Sequence, residues 1–220
     1  MTTTTTKSEE LIKTLWCFRS FYDSDIREMR WCLSTSVSKW HDSASAELHS
    51  LRARRPSSLR IGFLEQHLQS IEALGGLADQ SATSAIYVRF ETTIKGLIET
   101  GVPNAVGGAD FTWTQIETCL KRMGIHPSTL RGYRDLTELR LLNNSIKHNR
   151  GRISKGLGPF GYSIGAPIPD LSSSFERFIA GCADFITDLV EQIVRFHDPT
   201  GHVVREIERS WHELFSPIEL

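Results

Sequence analysis

Apolar side chains recur at alternating steps of three and four along most of this 220-residue chain. The strongest run is Phe175, Phe178, Cys182, Phe185, Leu189, Ile193 and Phe196. An α-helix turns about 100° per residue, so this spacing gathers all seven side chains on one face; a strand would need a period of two. The same spacing returns in segment after segment, with few strand signals between. It predicts an all-α chain and, with short connections, a single helical bundle of about eight helices.

The punctuation places the helices. One starts at Ser8, with Leu11, Ile12, Leu15, Trp16 and Phe18 as its stripe. The next runs from Ser24 to Arg54 on Ile26, Met29, Leu33, Val37, Trp40, Ala44, Leu48 and Leu51, and Pro56 stops it. A third starts at Ser57 or Ser58 and ends at Gly75-Gly76; a fourth spans 84–100, ended by Gly101 and Pro103. After a Gly/Pro/Asn loop over 102–110, Thr112 and Gln115 have capping-box spacing, with Phe111 and Ile116 as a hydrophobic staple. Gly124 and Pro127 end that helix. The sixth covers 128–149, and the Gly-rich 151–169 stretch reads as an ordered loop. Ser173 and Glu176 open the seventh helix with another capping-box spacing, and the last covers 202–215. There is no internal repeat and no second core pattern. One domain is therefore expected over 8–220, behind a Thr-rich tail, 1–7, that buries nothing and is expected to be disordered.

Several function classes drop out. No apolar run approaches the roughly 20 residues of a membrane span, and Met1–Lys7 has no apolar core of a secretory signal, so a cytoplasmic protein is expected. Cys17, Cys32, Cys119 and Cys182 are far apart, with no C-x-x-C and no His at zinc-finger spacing. They read as buried, reduced thiols, and no metal site is expected. Gly156-Leu157-Gly158-Pro159-Phe160-Gly161 matches G-x-G-x-x-G, but a helix rather than a strand precedes it and Pro159 removes a donor, so a dinucleotide site is set aside. His202 and His212 read as surface or capping residues, and His197 as a cation at a helix C-terminus. Arg52, Arg54 and Arg55 read as helix-terminal charges, with phosphate contact as the alternative.

Net charge is −1, which by itself argues against a nucleic-acid binder. The sum hides a cancellation. Arg131 to Lys155 holds seven basic and two acidic residues, a net of +5; Asp170 to Leu220 holds four basic and ten acidic ones, a net of −6. Either the basic segment receives an anionic chain such as RNA, or the two segments pair with each other. Within the basic segment, Leu136, Leu139, Leu142 and Ile146 share one helical arc. Arg140, Asn144, Lys147 and His148 share the neighbouring one, and Asn143 falls inside the apolar arc, where an amide needs partners.

The run Leu139-Arg140-Leu141-Leu142-Asn143-Asn144-Ser145-Ile146-Lys147-His148-Asn149-Arg150-Gly151 resembles the helix end of the HEPN superfamily. Members of that superfamily often read there as Arg-Asn, a few residues, His-Asn and then Gly. The resemblance covers residues 110–155; elsewhere it extends only to helices in a bundle. It implies an all-α fold, no cofactor, RNA as partner, and a homodimer in which two motifs meet in one cleft. It also implies a place in a prokaryotic toxin–antitoxin or antiphage defence system, with a protein partner from that system. In active members the His does acid–base work on the RNA 2′-hydroxyl while an Arg stabilises charge on the phosphoryl group. His148 matches the family His and Asn144 the polar residue after the Arg. The Arg position, five before the His, is Asn143; the alternative spacings fall on Leu142 and Leu141, and Arg140 stands one residue too far away.

Three readings follow. The first is a degenerate member that binds RNA or a partner without cutting, with Lys147, Arg150, Arg152 and Lys155 as phosphate contacts. The second is a metal-independent ribonuclease using His148, Asn144 and Asn143, with Arg140 or Lys147 as the substitute cation. The third is a helical scaffold that dimerises through the Phe-rich stripe of the seventh helix.

Overall fold

The computed structural model describes residues 7–54, 58–102, 112–149 and 151–215. These form seven α-helices: α1 (Lys7–Cys17), α2 (Ser24–Ala53), α3 (Ser58–Gly101), α4 (Trp113–Arg122), α5 (Tyr133–His148), α6 (Phe175–His197) and α7 (His202–Phe215). Short 3-10 turns lie at Pro127–Thr129, Lys155–Phe160 and Ser172–Ser174. Among the described residues there is no strand, only one isolated bridge between Arg152 and Pro167. The chain is all-α.

The expected third and fourth helices are one. Gly75 and Gly76 lie inside α3 and do not adopt the left-handed conformation that ends a helix. Glycine within a helix costs only about 1 kcal/mol against alanine, and apolar residues on both sides of the pair carry the helix through. The expected sixth helix is shortened instead. Its first residues form the Pro127–Thr129 turn, and Gly132 takes φ +70°, so α5 starts only at Tyr133. Ser173 sits in a 3-10 turn ahead of α6, and Glu176 gives its carboxylate to Arg27. The Thr112 capping box forms as expected: Gln115 N–H donates to Thr112 Oγ1 at 3.4 Å, and Thr112 N–H donates to Gln115 Oε1 at 2.7 Å. Phe111, Pro56, Arg55, Pro103 and residues 1–6 lie outside the described residues.

Two compact units emerge, each assembled from separated segments. The first comprises 1–21, 89–136 and 180–220. In it α1 touches α7, and a ring cluster forms the centre: Phe185 lies 5.7 Å edge-on from Phe90, 6.2 Å from Trp113 and 6.4 Å from Tyr133. The second comprises 22–88 and 137–179. It holds α2, the first three-quarters of α3, most of α5 and the Gly-rich loop, with Ile26, Leu48, Leu64, Ile71, Ala82, Leu139, Leu142 and Phe178 buried.

The Phe-rich stripe of α6 is core. Phe175, Phe178, Cys182, Phe185, Leu189 and Ile193 are buried and only Phe196 reaches the surface. This corrects the third reading: the stripe is consumed inside the chain and cannot be the dimer face. The cysteine expectation is half corrected. Cys119 and Cys182 are buried, and burial pushes the Cys182 thiol far up, but Cys17 and Cys32 are exposed.

Asp198 starts α7. Its carboxylate accepts from the amides of Val203 at 2.9 Å, His202 at 3.2 Å and Val204 at 3.4 Å, and from the Thr200 hydroxyl at 3.0 Å. Burial alone would raise its pKa; the four donors, led by Thr200, reverse that and hold it below the usual range. A carboxyl with a lowered folded pKa contributes stability that is complete above its unfolded value of about 4. That contribution is lost as the pH falls through the folded value. Asp198→Ala is therefore expected to lower stability at pH 7 by about 0.5–2 kcal/mol, the range for a lost helix cap. In urea unfolding, the gap between wild type and variant should narrow as the pH drops below about 4; a gap constant with pH would sink this account.

Candidate functional site

α5 presents two unlike faces because its sequence does. Leu136, Leu139 and Leu142 are buried and Ile146 is half-buried. On the neighbouring arc Asn144, Lys147 and His148 are exposed and Arg140 is half-buried. The polar strip expected from the spacing is thus present on the surface. Lys147 and His148 also occupy the last turn, where a cation suits the helix C-terminus.

Asn143 departs from the strip. It is 1% exposed, and its Oδ1 is buried without a hydrogen-bond partner. The position five before His148 therefore points into the protein, and Asn143 is not part of the exposed strip. Arg140 lies eight residues before His148, about 12 Å along the axis. Lys147 is adjacent to His148 on the strip.

The chain beyond α5 folds back in an ordered loop. Asn149 Nδ2 donates to Arg152 O at 2.6 Å, and Gly151 takes φ +69°. The amide of Ile153 donates to Ala166 O at 2.8 Å, that of Gly165 to Ile153 O at 2.9 Å, and that of Ile168 to Gly151 O at 2.9 Å. Ile153, Leu157 and Ile168 are buried and anchor the loop. Arg152 and Lys155 are exposed on it, and Arg152 Nη1 donates to Gly165 O at 2.9 Å. Arg150 lies outside the described residues. The glycines of the G-x-G-x-x-G match build a 3-10 turn whose amides already donate within the loop, as Gly161 does to Gly158 O and Leu157 to Ser154 O.

The charge arithmetic divides. Arg131 belongs to the first unit and is taken by acidic residues of α6, with Nη2 2.6 Å from Asp188 and Nη1 3.4 Å from Asp184. Here the two segments do pair with each other, and Arg131 in turn holds the Asp188 carboxyl below its usual range. By sequence, residues 137–155 hold Arg140, Lys147, Arg150, Arg152 and Lys155 against the single carboxylate of Glu138, and Arg140 already has an interaction within the protein.

Glu138 itself is buried and was not singled out by the sequence. It accepts from the Tyr162 hydroxyl at 2.7 Å and from Arg177 Nη2 and Nη1 at 2.8 and 3.0 Å. Two turns on, Ser145 Oγ accepts from the Ser154 amide at 3.3 Å. Both tie the Gly-rich loop to α5. The signal was the spacing: Glu138 and Ser145 stand at i and i+7, two polar residues on one edge of the buried arc that holds Leu142.

The remaining candidates have ordinary employment. His197 Nε2 lies 2.6 Å from Gly101 O, and Arg52 pairs with Glu65 at 2.6 Å. A cleft of about 530 Å³ in the second unit is lined from α2, α3 and residues 168–172 and does not include the α5 strip. Among the described residues no three His, Cys, Asp or Glu side chains could together hold a metal ion, and no helix is long and apolar enough to cross a membrane. No protein-family model, curated protein or solved structure matches this chain, so its chemistry is read from its own residues.

Proposed function

We propose that this is a cytoplasmic RNA-binding protein that holds single-stranded RNA along the C-terminal half of α5 without cleaving it. The observation that carries the reading is the exposure of Asn144, Lys147 and His148 on one strip of α5, with Arg152 and Lys155 exposed on the clamped loop that follows it. RNA is named because Leu139–Gly151 resembles the HEPN helix end; the same resemblance suggests a role in a prokaryotic toxin–antitoxin or antiphage system. Lys147, Arg152 and Lys155 supply phosphate contacts, His148 and Asn144 donate to sugar or base, and Arg140 extends the strip by two turns.

Binding is favoured over cleavage by what stands beside His148. The family Arg position is Asn143, buried and uncharged. Arg140 is about 12 Å away along the helix, too far to share one phosphate with His148 in the same chain. The ribonuclease reading, with Lys147 as the cation, draws on the exposure of His148 alone.

The test is a titration of labelled single-stranded RNA at several salt concentrations. With these three phosphate contacts, each contributing about 0.7 to the slope of log K against log salt, affinity should fall roughly 20-fold between about 50 and 200 mM salt. Lys147→Ala with Lys155→Ala should cut that slope to about a third, while His148→Ala should leave it unchanged. Salt-independent or absent binding sinks the proposal. Metal-independent cleavage that leaves cyclic-phosphate ends and disappears in His148→Ala would replace it with the ribonuclease reading.

A further inference from the structure

The portion of α3 from Ser58 to Val88 carries four charged residues, and each faces a partner on α2. Arg60 Nη2 lies 3.3 Å from Glu47, Glu65 lies 2.6 Å from Arg52 and Asp79 lies 2.9 Å from Arg30. The Glu72 carboxylate is 3.8 Å from His41 Nε2. On the other side of the helix, away from Leu64, Ile71 and Ala82, no Asp, Glu, Lys or Arg remains. That side is nonetheless open: Leu59 is 85% exposed, Phe63 69%, Leu77 56% and Leu74 45%. A solvated helix face is normally where the charges sit, and at the chain's 23% charged content a face this long would hold several. The Phe63 and His67 rings are stacked on it, with centroids 6.5 Å apart and planes within 5°.

The open face has a register. From Phe63 the steps to His67, Ser70 and Leu74 are four, three and four residues. From Leu77 to Ser81, Ser84 and Val88 they are four, three and four again, with a step of three joining the halves; Ser84 lies at the edge of the face, half-buried with its hydroxyl oxygen covered. This is the 3.5-residue period of a left-handed two-helix seam. It also reads the same from either end. An antiparallel copy related by a two-fold axis between Leu74 and Leu77 sets Leu74 against Leu77, Ser70 against Ser81, His67 against Ser84 and Phe63 against Val88. Leucines meet at the axis, the small serines flank them, and bulky Phe63 meets the smaller Val88.

We propose that this face of α3 is an interaction surface for the same face of a second copy of the chain, in antiparallel register. Charge selects the occupant. A partner with a charged face would have those charges desolvated against a surface that offers no counter-ion. A two-fold pairing puts a patch on itself, and a charge-free patch meets no like charge there. The seam is about 38 Å long and about one helix wide, near the lower bound of roughly 1,000 Å² for a specific interface. The dimer is therefore concentration-dependent.

Sedimentation equilibrium of the full chain over a range of concentrations tests the proposal. The expected mass rises with concentration toward twice the 24.8 kDa of the chain. L74E/L77E, altered only at exposed positions, is expected to stay monomeric with unchanged helix content and with the melting midpoint of the dilute, monomeric wild-type chain. A wild-type chain that stays monomeric at high concentration, or a dimer untouched by the two charges, overturns the proposal. Orientation is read in a background with Cys17→Ser and Cys32→Ser. There, Ser70→Cys with Ser81→Cys should give a disulfide-linked dimer while neither single substitution does; self-crosslinking of the single variants would mean a parallel pair and overturn the register.

Discussion

Gly132→Ala is expected to destabilise the protein by about 2–5 kcal/mol, a large part of the total stability of an ordinary domain. Two independent penalties meet at this residue. Its φ of +70° is left-handed, which costs a residue with a Cβ about 1–2 kcal/mol. A Cβ built there would also lie 2.0 Å from Gly181 O and 2.8 Å from Gly181 C, both backbone atoms of α6 that cannot rotate away. Overpacking of this kind costs about 1–3 kcal/mol and occasionally more. Gly165→Ala separates the two effects. Gly165 has φ +80° but nothing within 4 Å of its Cβ position, so only the first penalty applies. Thermal unfolding should place Gly132→Ala well below Gly165→Ala, and equal midpoints would mean that the close passage at Gly181 carries no energy.

Gly132 set beside Gly75-Gly76 shows what a sequence can and cannot reveal about this chain. Local chemistry was legible: α2 and α7 start where their periodicity starts, and the Thr112–Gln115 capping box forms because both of its partners lie within one turn. The two faces of α5 were legible for the same reason, since a helical wheel depends only on spacing. Gly75-Gly76 and Gly132 look alike as text, yet the first pair runs on as helix and the second residue breaks one. What distinguishes them is tertiary: Gly132 lies against the Gly181 backbone, which is 49 residues away in the chain and has no local signature. The Phe-rich stripe of α6 was legible as apolar, but its spacing fits a core and a dimer seam equally well; burial decides for the core. The open face of α3 was illegible because Leu59, Phe63, Leu74 and Leu77 become conspicuous only once Arg60, Glu65, Glu72 and Asp79 are seen to turn toward α2. For the site, strip membership and the place of Asn143 in the buried arc were readable, whereas the missing partner of Asn143 Oδ1 and the partners of Glu138 required the fold.

Arg177→Leu is expected to cost about 2–4 kcal/mol, more than Glu138→Gln, although both break the same ion pair. The asymmetry comes from burial. The Glu138 side chain is 7% exposed, whereas that of Arg177 is 42% exposed and its guanidinium lies 4.7 Å above the Phe178 ring. Without Arg177, a carboxylate stays out of water with the Tyr162 hydroxyl as its remaining donor from this trio. Leucine keeps part of the apolar stem, so the measured loss reports the charge rather than the packing. In Glu138→Gln, by contrast, the guanidinium is free to hydrate and the amide oxygen still accepts from one partner, for an expected loss of about 1–2 kcal/mol. Solvent access to Arg177 keeps the first value below the roughly 3–5 kcal/mol of a fully buried pair. Tyr162 adds a pH signature. Burial first, and then its hydrogen bond to Glu138, raise its pKa far above the ordinary tyrosine value. A raised folded pKa means that stability is complete below the unfolded value of about 10 and is lost as the pH climbs past it, because the unfolded chain ionises first. Tyr162→Phe should therefore cost stability at pH 7 yet flatten the decline above about pH 10. Urea midpoints for the three variants at neutral and alkaline pH read both effects. If Glu138→Gln proves the more damaging of the pair, or Tyr162→Phe keeps the alkaline decline of the wild type, then Glu138 is not the buried hub that ties the Gly-rich loop to α5.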